Sequence, residues 1–293
     1  MTKTYDAVVI GGGAAGLSGA LMLARSRRSV VVIDSGTPRN APAEGVHGLL
    51  GHDGIPPAEL LRKGREEVIK YGGEIVRGEV IRTEPGFTVT LADGRTIHAR
   101  RVLVATGLRD VLPDVPGLAE QWGRGVVHCP YCHGWEVRDE PIGVLAVGPA
   151  SEHHALLFRQ LTDDLVYFTN GTEPDREALT AHGIRIIDTP VEAIESKEDE
   201  ITGVRLTTGE VVPRKVIAVA TKMQARTEGL EGLALPMEDL PNGMGRKFVS
   251  GMAGTTPVQG VWVAGNATDL AAQVGASAAA GALAGAHINA DLI

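Results

Sequence analysis

The chain has only two cysteines, and both lie in one tight pair, Cys129-Pro130-Tyr131-Cys132, with His128 and His133 on its flanks. Three chemistries suit such a pair. A redox-active disulfide needs a thiolate, and a neighbouring imidazole can take the thiol proton near neutral pH. Structural zinc normally takes four ligands, which would draw in both histidines. An inert pair of core cysteines is the third reading. Two cysteines in 293 residues do not make a disulfide scaffold, which leaves redox or metal work. The redox reading is carried forward, and no metal is expected.

The elements that would serve such chemistry begin at the N-terminus. "YDAVVIGGGAAGLSGALMLARSRRSVVVIDSG" reads strand, glycine turn, helix, strand. The apolar run Ala7–Ile10 suits a strand buried on both faces. Gly11, Gly13 and Gly16 form G-x-G-x-x-G, with Ala14 and Ala15 inside it and the helix continuing to Arg27. Gly11 permits the tight turn, Gly13 lets backbone approach a pyrophosphate, and Gly16 brings helix and sheet together. The helix N-terminus offers N–H groups and positive potential to phosphates. Asp34 closes the next strand, where a carboxylate can accept from ribose hydroxyls, and Ser35 follows. Alone the glycine pattern is weak evidence; in this order, with the acid in place, it predicts dinucleotide binding.

A Gly/Pro-rich loop over 35–57 leads to an amphipathic helix ended by Gly72–Gly73. Short strands with turns at Pro85–Gly86 and Asp93–Gly94 follow, then a buried strand Val102–Ala105 entering Thr106–Gly107. "LPDVPG" marks a boundary at 112–117. A second α/β unit spans 113–221, and the chain closes with "GVWVAGN" and an Ala/Gly-rich helix. The two strand–glycine–helix openings suggest related halves. Hydrophobic residues at 43% can build cores, and a formal charge of −8 argues against nucleic-acid and anionic-membrane surfaces. The apolar C-terminal helix is built from Ala and Gly rather than Leu and Ile, unlike a membrane span. The N-terminus runs straight into a strand pattern, which argues against a secretory leader and for a cytoplasmic protein.

The opening "VVIGGGAAGLSGA", "VLVATG", the Cys-x-x-Cys after the first boundary and the closing "GVWVAGNATDLAAQV" together resemble low-molecular-weight thioredoxin reductases. The resemblance covers essentially the whole chain. It implies an α/β fold of two Rossmann-like, three-layer ββα nucleotide-binding domains. The FAD domain, 1–112 plus 222–293, is split by an inserted nicotinamide-type domain, 113–221, that carries the cysteines. It places FAD against Gly11, Gly13, Ala14, Ala15, Gly16, Asp34, Ser35, Val80, Ala105, Thr106, Gly107, Gly265, Gln273 and Val274. Arg39, Asn40 and His47 fall where family members line the flavin; the other reading is an ordinary polar loop. Where the family has Gly-Asp, this chain has Gly265–Asn266, with Asp269 three residues on; Asn266 can still bond a ribityl hydroxyl. The resemblance also implies a homodimer.

The second nucleotide loop departs further. Family members repeat G-x-G-x-x-A/G there, whereas this chain reads Gly148-Pro149-Ala150-Ser151-Glu152-His153. Ala150 adds a methyl where pyrophosphate should lie, and His153 is expected to wedge the helix from the strand. The following strand end, "YFTNGTEPDR", offers no basic pair and no ribose acid, Arg176 coming late, so NADPH is doubtful. After the second Cys the family usually has Asp; here it is His133. Both features resemble nicotinamide-independent dithiol oxidases of the gliotoxin and holomycin type. That resemblance makes Cys129 the outer sulfur, Cys132 the flavin-facing one, His133 the base, a small dithiol the substrate and dioxygen the acceptor. A thioredoxin reductase fed by NADPH or ferredoxin, with a thioredoxin-like partner, is one alternative. A non-enzymatic flavoprotein redox sensor is another. His128 is read as a second base or a strand-end surface residue, and Tyr131 and Trp135 as substrate contacts or packing.

Overall fold

In the computed structural model, which describes residues 3–293, β1 (Thr4–Ile10) is flanked in parallel by β2 (Val30–Asp34) and by β6 (Thr96–Val104). Side chains alternate across a strand. Val8 and Ile10 therefore enter one core cluster, while Ala7 and Val9 enter a second beneath helix α1 (Ala14–Arg25). α1 stops before Arg27, which takes a left-handed φ of 61° and ends the helix without the glycine that would mark it in sequence.

Helix α2 (Pro57–Lys70) leads to β3 (Glu74–Arg77), which pairs with β2. β4 (Val80–Glu84) and β5 (Thr88–Leu91) then form an antiparallel arm on the N-terminal half of β6. The seven-stranded sheet runs β3-β2-β1-β6-β5-β4, with a later strand on β6. After β7 (Leu108–Val111) comes a second parallel sheet. Its strands are β8 (Val126–Val127), β9 (Ile142–Leu145), β10 (Leu165–Phe168), β11 (Arg185–Ile187) and β15 (Val216–Val219), ordered β11-β10-β9-β15-β8. Short helix α3 (Pro130–His133) follows β8, α4 (Ala150–Arg159) follows β9 and α5 (Arg176–Ala181) follows β10. β12 (Val191–Lys197), β13 (Glu200–Leu206) and β14 (Val211–Val212) make a three-stranded antiparallel sheet. β16 (Lys222–Ala225) pairs with β18 (Gly245–Phe248), and β18 with β17 (Met237–Asp239). β19 (Val261–Val263) joins the C-terminal half of β6, and α6 (Val274–Asp291) ends the chain.

This is an α/β fold of two related parallel sheets, each with an antiparallel companion. The chain divides into one unit of Met1–Arg109, Met223–Leu240 and Gly245–Ile293, and a second of Asp110–Lys222 and Pro241–Met244. The Ala/Gly composition of α6 has a packing cause. A Cβ on Gly281 would lie 1.9 Å from the Ala15 carbonyl oxygen, so α1 and α6 cross backbone to backbone. No described helix is long and apolar enough to cross a membrane.

Candidate active site

In the first unit the ends of the parallel strands are level. Ile10 is in register with Ile33 and Val104, and Val104 with Val263, so Gly11, Asp34, Ala105 and Gly265 emerge along one edge. Strand order reverses there, the usual place for a ligand crevice. Gly11 has φ +108°, and a Cβ on it would meet the Ala105 carbonyl oxygen at 2.2 Å. On Gly16 a Cβ would lie 1.9 Å from the Gly11 oxygen; on Gly13 it would meet nothing within 4 Å. Gly11 and Gly16 thus close the turn, while Gly13, the N-cap of α1, faces open space with no side chain capping the helix. Ala14 and Ala15 form the first turn, which holds no acidic residue. Asp34 Oδ1 accepts from Gly12 N at 3.2 Å. An open, uncapped helix N-terminus beside a strand-end carboxylate fits the pyrophosphate and ribose of a dinucleotide.

The other expected contacts in this unit divide. Ala105 is buried, Gly107 takes φ +70°, and Thr106 Oγ1 donates to the Arg226 carbonyl at 2.8 Å. Ser35 pairs with Thr37 through their hydroxyls at 2.9 Å. Arg39 and Asn40 lie half-buried in the loop. His47 approaches Asp53 at 3.5 Å, and the Gly48 N–H holds the Asp53 carboxyl below its ordinary range. Gln273 is the N-cap of α6, and Val274 its first residue. Val80 points into the core, which leaves only its backbone for a ligand. Asn266 is committed: its Nδ2 donates to the carbonyls of Asp269 at 3.0 Å, Leu270 at 3.3 Å and Ala272 at 2.8 Å. These donors tie down the loop that delivers α6, work an aspartate could not do. Beside both helix N-termini is a cavity of about 450 Å³, lined by Ala14, Leu17, Leu49, Leu60, Val274 and Ala278 among others.

In the second unit, β8 and β15 are adjacent, with Val127 in register with Ala218. His128 therefore leaves its strand beside the end of β15, and the cysteines follow at once. Cys129 is the N-cap of α3, and Cys132 N–H donates to the Cys129 carbonyl at 3.2 Å. N-cap and third helical residue share one side of a turn, which brings the sulfur-bearing residues together. A Cβ on Gly134 would meet the Pro130 oxygen at 2.2 Å, so this turn requires glycine. Both cysteines are half-buried, and His133 closes the helix. Tyr131 and Trp135 are 68% and 67% exposed, so neither is core packing; the Arg138 guanidinium stacks 4.2 Å from the Trp135 ring.

Three neighbours of the cysteine segment carried no signal in the sequence. His128 Nδ1 lies 3.0 Å from the Val219 carbonyl oxygen and 3.3 Å from Thr221 Oγ1, and Thr221 Oγ1 donates to Asp110 Oδ1 at 2.6 Å. From α4, His154 hydrogen-bonds through Nε2 to the His128 carbonyl, and its ring centroid is 5.8 Å from that of His128. Burial is the main cause that pushes its pKa down to about 4, so the ring is neutral.

The second glycine loop differs from the first in its donors. Pro149 caps α4 and has no N–H, Ser151 N donates to the Gly148 carbonyl at 3.0 Å, and Glu152 puts a carboxylate in the first turn. The expected wedge at His153 is corrected: His153 is exposed, and His154 holds the buried position facing the sheet. Arg176 forms an ion pair with Asp188. Among the described residues, no cluster of His, Cys, Asp and Glu could hold a metal ion.

Residues 5–285 match the pyridine nucleotide-disulphide oxidoreductase family. The chain is 34% identical to thioredoxin reductase tcpT of Claviceps purpurea, over 90% of this chain and 87% of that protein. It is 35% identical to thioredoxin reductase aclD of Aspergillus oryzae, over 58% of each. Some curated relatives are thus matched over less than two thirds of their length, and an Arthroderma benhamiae protein over 44%. The crystal structure of HlmI superimposes with a TM-score of 0.93 at 43% identity, covering 100% of this chain and 94% of that one.

Proposed function

The chain belongs to the pyridine nucleotide-disulphide oxidoreductase family, and from that premise we propose that it is an FAD-dependent dithiol oxidase working through Cys129 and Cys132. It is an oxidoreductase acting on sulfur groups, and its thioredoxin reductase relatives are FAD flavoproteins. The open cradle at Gly13, with Asp34 beside it, fits that cofactor. Bound FAD would supply a two-electron acceptor whose reoxidation by dioxygen would yield hydrogen peroxide.

The chain's own residues do the sulfur chemistry. One thiolate of a small dithiol attacks Cys129 in the oxidised pair, forming a mixed disulfide and releasing Cys132 as thiolate. The second substrate thiolate attacks its own partner sulfur in that mixed bond, closing the product disulfide and releasing Cys129. Two electrons now reside in the dithiol pair, and they leave when the pair recloses. His133 takes the protons of the substrate thiols as they are released. Exposed Tyr131 and Trp135 give a small substrate an aromatic surface beside the pair.

The observation that carries the oxidase reading is the start of α4. A pyrophosphate would meet a proline without an N–H, an N–H already turned to Gly148, and the Glu152 carboxylate. The 2′-phosphate of NADP would find Arg176 paired with Asp188. The names of the relatives favour a second reading, a thioredoxin reductase fed by NADPH or a protein donor such as ferredoxin. Anaerobic mixing with NADPH, NADH or a small dithiol separates the two. Loss of the flavin's visible absorbance with dithiol alone supports the oxidase, and rapid loss with NADPH refutes it. A homodimer of cytoplasmic location completes the proposal.

A further inference from the structure

We propose that Asp110 and Thr221 are positioning residues for His128, which they hold as the base that takes the proton of Cys129. This rests on the redox reading of the cysteine pair, but not on the identity of the electron acceptor.

The shorter of the two backbone contacts at Nδ1 assigns the tautomer. A backbone carbonyl has no proton to give, so the 3.0 Å contact with Val219 places the proton on His128 Nδ1. The Thr221 N–H, 3.3 Å from the same nitrogen, would donate to the opposite tautomer and is the longer of the two backbone contacts. Thr221 Oγ1 sends its own proton to Asp110 at 2.6 Å, so towards His128 it is an acceptor. Nδ1–H is thus given to the Val219 carbonyl, with the Thr221 hydroxyl at 3.3 Å as a second, longer acceptor, and that hydroxyl donates to the Asp110 carboxylate.

With Nδ1 protonated, Nε2 is the basic nitrogen. The proton of the Cys129 thiol moves to Nε2, leaving a thiolate and an imidazolium with no electron transferred. The Asp110 carboxylate then stabilises that imidazolium through Thr221, which is only 3% exposed, and such a chain is stronger out of water. Titratable groups stand around His128 on three segments. His154 on α4 is neutral and donates to the His128 carbonyl. Cys129, Cys132, His133 and Glu136 lie on the same segment, and Lys222 follows Thr221 with an exposed side chain.

The fold brings together what the sequence keeps apart. Asp110 lies in β7, Thr221 just past β15 and His128 just past β8, the first two separated by 111 in residue number.

The test follows alkylation of Cys129 by iodoacetamide against pH, anaerobically, in full-length FAD-loaded protein reduced with dithiothreitol. Near neutral pH, Thr221→Val and Asp110→Asn should react about tenfold more slowly than wild type, a one-unit rise in the thiol's effective pKa. The curves should converge at alkaline pH, where the thiol ionises unaided. Thr221→Ser, which keeps the hydroxyl, should restore the wild-type curve. An unchanged profile in both folded variants overturns the proposal. So does an equal loss at every pH, which would mark a merely structural role. If Thr221→Val fails to fold, Asp110→Asn decides. Predicted alkylation curves without any oxygen uptake on dithiol would uphold this relay and sink the oxidase reading.

Discussion

His154 donates its Nε2–H to the backbone carbonyl of His128, so one buried imidazole on α4 grips the residue immediately ahead of the cysteine pair. The Phe158 ring packs edge-on against it at 4.9 Å, closing the pocket on the apolar side. Its other nitrogen, Nδ1, is buried with no hydrogen-bond partner, so the site has no arrangement that welcomes a second proton.

That arrangement sets a pH dependence with a definite sign. The pKa of His154 falls from 6.5 in the unfolded chain to about 4 in the folded one, mainly through burial. Stability is then full above the unfolded value and is lost as pH falls towards about 4. The slope approaches ~1.4 kcal/mol per pH unit. Chemical denaturation across this range should show the slope, and His154→Phe should flatten it. An unchanged slope in that variant would assign the acid sensitivity elsewhere.

Two glycines of the first loop should behave oppositely. A methyl on Gly16 collides with the Gly11 carbonyl, so Gly16→Ala should destabilise the apoprotein by roughly 1–3 kcal/mol or more. A side chain on Gly13 meets only open space, and its φ of −79° suits any residue. Gly13→Val should therefore keep the apoprotein melting temperature while purified protein loses its yellow colour. A Gly13→Val protein with full flavin content would move the phosphates away from this cradle.

Asn266 is predicted to act through its donors. Asn266→Asp turns an amide that serves three carbonyls into a carboxylate facing them, at a cost of about 1–3 kcal/mol. Thermal melts should show that loss, together with faster exchange of the amide protons at the start of α6. Stability equal to wild type would mean that these bonds are readily replaced by water.

What the sequence made legible is what is local. The glycine turn, Asp34 and the cysteine pair each depend on neighbours within one strand–turn–helix, so spacing alone was informative. What stayed hidden depends on helix phase or on distant partners. Whether His153 or His154 faces the sheet turns on where α4 begins, and sequence places that no better than a residue or two. The role of Asn266 is set by carbonyls that exist only once the loop to α6 has folded. Asp110, Thr221 and Asp188 are ordinary polar residues in sequence; their meaning comes from the strand ends that gather them.

In the proposed reaction Cys129 and Cys132 draw electrons from a dithiol, with dioxygen as final acceptor and no nicotinamide involved. Oxygen uptake and peroxide formation by the flavin-loaded protein, given a small dithiol and no pyridine nucleotide, test it most directly. The expected result is peroxide equimolar with the disulfide formed, and no turnover in Cys129→Ser or Cys132→Ser. No oxygen uptake with any dithiol, or turnover that survives loss of either cysteine, would contradict it.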